Sequence, residues 1–151
     1  MRTVKRSIVS ALILSFDNKI LMGRKDREDG GVYPDCWHIP GGGIDEGESK
    51  FEALRREMME EIGVDISGIE VELVNEDEGT AEGVIKKTGE KVLFEMDFSV
   101  YKIILDKKCE DTEVRLSDDL VEYDWFDLSS LKDLKLPPPS VTLFKKLGYL
   151  E

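Results

Sequence analysis

The order of elements in this 151-residue chain predicts an α/β or α+β fold, built as one domain over residues 1–151. The prediction rests on an apolar run at the N-terminus, a sharply bounded amphipathic helix near the middle, and a long, strict alternation in the second half.

Residues 4–16 are rich in Ile, Val and Leu and read as a strand covered on both faces. Arg2, Lys5 and Arg6 ahead of an apolar stretch imitate a short signal peptide. No small-x-small cleavage site follows, however, and the run is too short to cross a bilayer. Asp17-Asn18 turns the chain back into a second strand, Ile20–Arg24. A polar loop from Lys25 to Asp35, broken by Gly30-Gly31 and Pro34, leads to a short strand, Trp37-His38-Ile39.

The central helix is bounded at both ends. Ser49-x-x-Glu52 is a capping box, and Gly63 suits the position just past the last turn. Gly41, Gly42, Gly43 and Gly47 precede it, giving a backbone free to turn and to approach a ligand closely. Phe51, Leu54, Met58 and Ile62 form an apolar stripe. Glu57, Glu60 and Glu61, at i, i+3 and i+4, converge roughly 110° around the axis from it, at about 100° per residue.

Beyond the helix, Ile69–Asn75 reads as a strand, Glu76–Gly83 as a polar run and Lys87-Thr88-Gly89-Glu90 as a hairpin turn. Val92, Phe94, Met96, Phe98 and Val100 then point one way, and Leu93, Glu95, Asp97 and Ser99 the other, so this strand has one core face. A charged loop, Lys107 to Asp119, precedes a strand at Val121–Phe126 and a short helix at Leu128 to Leu134. Pro137-Pro138-Pro139 enforces an extended approach to a final helix, Ser140 to Leu147.

The net charge of −12 argues against a nucleic-acid polymer or an anionic membrane as partner. An anionic small molecule would need a metal and local Arg or Lys. Cys36 and Cys109 form neither a disulfide framework nor a zinc spacing, which fits reduced thiols in a cytoplasmic protein. A lone histidine, His38, excludes a histidine-based metal cluster and suits packing better than catalysis.

Three glutamates on one helix face repel one another unless a cation sits among them. Magnesium, a hard ion that takes oxygen ligands and substrate phosphates, is the natural candidate; a solvated acidic face is the alternative. The complete spacing decides between them. Gly42, Glu48, Arg56-Glu57-Met58, Glu60-Glu61 and Gly63-Val64 resemble the Nudix box at every defined position.

That resemblance implies an α/β/α sandwich with a mixed sheet. It also implies Mg²⁺- or Mn²⁺-dependent hydrolysis of a pyrophosphate bond in a nucleoside diphosphate derivative. On the family pattern, Glu57, Glu60 and Glu61 bind metal, with the Gly42 carbonyl as a further ligand, while Arg56 and Glu48 brace the loop against the helix. A general base outside the box would be Asp119 or Glu122, in the loop and strand before Trp125.

The MutT-like branch is indicated by the basic Lys25, with Arg24 beside it as a second phosphate contact, and by Leu136-Pro137-Pro138-Pro139-Ser140. In that branch an asparagine recognises the base where Ser140 stands here. Ser140 therefore either contacts the base or caps the last helix. The implied substrate is a nucleoside triphosphate or a related small nucleotide. The alternatives are a nucleotide sugar or an ADP-ribose-like substrate, and a non-catalytic nucleotide-binding regulator. A homodimer is compatible with the sequence, which does not fix the oligomeric state.

Overall fold

The computed structural model describes residues 1–25, 33, 35–117 and 120–151. Its strands are β1 (Arg2–Leu14), β2 (Lys19–Lys25), β3 (Gly41–Gly43), β4 (Val71–Val84), β5 (Lys91–Ile104) and β6 (Leu120–Asp127). Its α-helices are α1 (Lys50–Ile62) and α2 (Pro138–Lys146). The strands form one mixed sheet in the order β4-β5-β1-β2-β6, with β3 paired to β1.

β1 is the axis of the sheet. It runs parallel to β5 from Arg2↔Val92 to Leu14↔Ile104, and its Ile8–Ser10 segment pairs antiparallel with the glycines of β3. As the sequence predicts, its inner half is covered on both faces. Val9, Ala11 and Ile13 join Ala53, Leu54, Met58 and Ile62 of α1 in one core cluster. Leu12 and Leu14 pack on the other side with Leu143 and Phe144 of α2. Alternation along one strand thus supplies two cores, and the result is an α/β/α sandwich.

Several elements differ from the sequence-based expectation. The polar run Glu76–Gly83 is the outer half of β4, in register with β5 from Glu76↔Ser99 to Gly83↔Val92. It lies at the sheet edge and is exposed nearly throughout, so backbone pairing defines it and no apolar period marks it. Phe94, Met96 and Phe98 are only half-buried, because no helix covers the distal part of this hairpin. Trp37-His38-Ile39 contributes a single bridge, His38 to Gly23. The short helix after β6 is a 3₁₀ helix, Leu128–Asp133.

In α1 the capping box and the left-handed Gly63 (φ 67°) are present as predicted. Phe51, expected in the apolar stripe, is 39 % exposed and lies beside the Arg55 guanidinium, while Ala53 is buried in its place. α2 begins earlier than expected. Pro137 is its N-cap and Pro138 and Pro139 form its first turn, where a missing N–H costs nothing. Among the described residues no helix is long and apolar enough to cross a membrane.

Candidate active site

The site grows from the junction of β3 and α1. Gly41–Gly43 lie flat against β1, and only Gly47 of the four glycines adopts a positive φ, 87°. Close approach is what the strand glycines provide. A Cβ at Gly41 would fall under 3.0 Å from the Val9 carbonyl oxygen, and one at Gly42 under 3.0 Å from the carboxyl group of Glu57. Side chains at these positions would push β3 off β1 or displace that carboxylate.

Arg56 ties this junction together. Its Nε and Nη2 donate to both oxygens of Glu48 at 2.8 Å, and Nη2 also donates to the Gly43 carbonyl at 2.8 Å. Its Nη1 donates to Glu57 Oε1 at 2.9 Å and to Glu60 Oε2 at 3.2 Å. The Asp45 N–H donates to Glu48 Oε1 at 2.8 Å, closing the loop on itself. Hydrogen bonds from Arg56, then that N–H, hold the Glu48 carboxyl down to about 2, and the same pairing raises the Arg56 pKa. Both stay charged over any ordinary pH range.

The three box glutamates differ in environment. Glu57 and Glu61, one turn apart, are buried at 9 % and 4 % exposure, whereas the Glu60 side chain is 48 % exposed. Glu61 Oε1 accepts the Gly41 N–H at 2.7 Å. A buried carboxylate needs charged or hydrogen-bonding partners, and this pair has Arg56 and a strand amide. The three carboxylates of this helix face are thus tied to different partners. Among the described residues no three acidic groups stand in a metal-coordinating arrangement. Arg56 draws Glu57 and Glu60 towards itself, and Gly41 holds Glu61. In kind the donors fit a hard divalent cation, since all are oxygens and two are buried beside a glycine backbone.

Gly42 and Glu61 open onto a cleft of about 580 Å³ that also takes in Lys25 and Ser140. Its remaining wall is largely apolar, with Phe98 and Val100 from β5 and Pro137, Pro139 and Leu143 from α2. Residues from the two ends of the chain thus meet here. Ser140 lies in the first turn of α2, 8 % exposed, and makes no capping bond, which overturns the capping reading.

Arg24 and Glu122 do not line this cleft. They are opposite each other on β2 and β6, with Arg24 Nη1 donating to Glu122 Oε1 at 3.2 Å and its guanidinium 5.1 Å from the Trp37 ring centre. A register shift between Arg24 and Lys25 separates the two basic neighbours, so that only Lys25 reaches the cleft. Arg24, expected at the phosphates, and Glu122, expected as a base, are here engaged with each other across the strands. Asp119 lies outside the described residues.

Sequence reasoning missed the support at the far end of α1. The Ser117 hydroxyl donates to the Glu60 carbonyl, the Ser117 N–H to the Glu61 carbonyl, and the Arg115 N–H to the Ile62 carbonyl at 2.8 Å. These bonds satisfy carbonyls that a helix end leaves open and fix the turn carrying Glu60 and Glu61. No spacing in the sequence signals them, because the donors lie over fifty residues away.

A sandwich with a glycine strand, a braced arginine and a buried carboxylate, Glu61, on a nucleotide-sized cleft has the frame of a hydrolase of phosphoric anhydrides. The chain belongs to the Nudix family: the family model described as NUDIX domain matches residues 4–147. An RNA pyrophosphohydrolase of a Nitratiruptor species is 33 % identical over 147 residues, covering 95 % of this chain and 88 % of that protein. The nucleoside triphosphatase NudI of an Enterobacter species is 28 % identical over 148 residues, covering 97 % and 99 %. In fold, the chain matches the MutT protein of Methanosarcina mazei Go1 with a TM-score of 0.68 at 22 % identity, over 98 % of this chain and 96 % of that one. This chain is accordingly a pyrophosphohydrolase.

Proposed function

We propose that the protein hydrolyses a free nucleoside triphosphate, or a closely related small nucleotide, in a reaction that requires Mg²⁺ or Mn²⁺. The observation that carries this reading is the pair of buried carboxylates, Glu57 and Glu61, held against the glycine strand beside a cleft with an apolar wall. Glu57, Glu60, Glu61 and the Gly42 carbonyl would hold the cation. When bound, it neutralises phosphate charge and makes water a better nucleophile.

The remaining work falls to the chain itself. Arg56 and Glu48 keep the loop and helix in fixed relation, so the helix carries its carboxylates on a rigid frame. Lys25 supplies positive charge for the phosphates in an otherwise acidic protein. The apolar surfaces of Val100, Leu143 and Pro139 suit a planar base, with Ser140 among them. A carboxylate of the box, or Asp119 outside it, takes the proton of the attacking water.

One relative is named for RNA, but a net charge of −12 opposes the approach of a polyanion and favours the single nucleotide. The test is pyrophosphate and phosphate release, read directly by ion chromatography, from a nucleotide panel with Mg²⁺ and with excess EDTA. Metal-dependent release from a triphosphate is expected. Full turnover in EDTA would refute the metal, and release from 5′-triphosphorylated RNA alone would refute the substrate.

A further inference from the structure

β4, like β2, carries a register shift, and it falls on the wall of the same cleft. Leu73 pairs with Tyr101 and Asn75 with Val100, so Val74 is an extra residue in the strand. A bulge of this kind re-aims the side chains around it. Val74 packs against the α2-side core, and Asn75 lines the cleft.

Asn75 is also oriented. Lys146, in the last turn of α2, donates from Nζ to Asn75 Oδ1 at 2.5 Å. An ammonium group only donates, so the amide must turn its oxygen towards the lysine. Its Nδ2 makes no hydrogen bond among the described residues and offers two donors. The next residue is tied from the other helix, by Lys50 Nζ to Glu76 Oε1 at 3.4 Å. This part of the edge strand is thus held by both helices, which suits a recognition surface.

Resting on the nucleotide reading above, we propose that Asn75 is a specificity-determining residue that selects bases carrying a carbonyl oxygen over those carrying an amino group. The phosphates are drawn to the cation site and Lys25, leaving the base for the apolar surfaces of Val100 and Leu143, beside Asn75. A donor fixed by Lys146 rewards an acceptor on the base edge. An amino group at that place would bring donor against donor and leave both unpaired in a half-buried site.

ITP against ATP, and UTP against CTP, contrast a carbonyl with an amino group in matched bases. The wild-type protein with Mg²⁺ should favour ITP and UTP in kcat/KM by about tenfold, the scale of one hydrogen bond. Asn75→Asp keeps the shape and the lysine contact but replaces the donor with an acceptor; the ratio should fall to one or reverse. Asn75→Ala should bring it close to one, and Lys146→Met should lower it partway by releasing the amide. A new carboxylate also repels every triphosphate alike, so the ratio is the readout, with Tm followed alongside. Turnover with the same ratio in wild type and both Asn75 variants overturns this inference alone. Absence of turnover of any nucleotide by the wild type overturns the nucleotide reading and this inference with it.

Discussion

Alanine substitutions at Gly41, Gly42 and Gly43 should separate folding from chemistry, because the three positions meet different neighbours. At Gly42 the added Cβ would stand under 3.0 Å from all three carboxyl atoms of Glu57, the movable tip of a side chain. Restoring ordinary contact requires that tip to move by on the order of 1 Å. The movement breaks the 2.9 Å bond to Arg56 Nη1, while the two Arg56 bonds to Glu48 survive. Loss of one hydrogen bond to a charged group costs about 1.5–3 kcal/mol, and the surviving partners place Gly42→Ala at the lower end. For a chain of this length that is a Tm loss of roughly 3–6 °C. A misplacement of about 1 Å at a reacting centre costs about 100-fold in rate, so kcat should fall by that order.

Gly41→Ala meets backbone instead, the Val9 carbonyl and the Ser10 Cα, neither of which can swing away. Pairing of β3 with β1 must open, at about 3 kcal/mol or more. Gly43→Ala has no neighbour within 4 Å of its Cβ and should change stability by less than about 0.5 kcal/mol. Urea melts and single-turnover kinetics on the three variants give both quantities per folded molecule. A Gly42→Ala protein with wild-type kcat would refute the packing of Glu57 on Gly42 as a requirement of the site. Equal destabilisation of the Gly41 and Gly42 variants would refute the distinction between backbone and side-chain obstruction.

Glu60→Gln should abolish most activity at near-native Tm, since the residue is half exposed and loses one bond to Arg56; wild-type kcat would rule out its metal role. Glu48→Gln tests the brace through pH. The folded carboxyl is held down to about 2 against an ordinary 4.5, so its stabilisation is fully present above 4.5 and lost as pH falls towards 2. The Tm gap between wild type and variant should therefore be wide at pH 7 and nearly closed at about pH 2.5; a constant gap would contradict the pairing. Ser140→Ala removes no cap, so the loss of about 1 kcal/mol that a cap would cost should be absent, while the kcat/KM ratio among purine nucleotides shifts. Equal effects on every nucleotide would remove Ser140 from base recognition.

The Gly42–Val64 stretch carries enough local information to place a capped helix, its glycine approach and its acidic face without any other part of the chain. Caps and helical periodicity act over a few residues, so Ser49, Glu52 and Gly63 state their roles in one dimension. The same holds for the inner half of β1, whose Ile-, Val- and Leu-rich run announces burial on both faces. What sequence could not show is where side chains of fixed spacing point once long-range partners compete for them. Glu57, Glu60 and Glu61 share a helix face by geometry, yet Arg56 and the Gly41 amide decide their orientations.

Arg24 and Lys25 are neighbours in the chain, and only the irregular pairing of β2 with β6 assigns one to Glu122 and the other to the cleft. Glu76–Gly83 has no apolar period to betray a strand, because an edge strand is made by backbone bonds to β5, whatever its side chains. Asn75 illustrates the limit best. Its meeting with Lys146, seventy-one residues on, follows from two elements folding onto one sheet, and no local pattern encodes it.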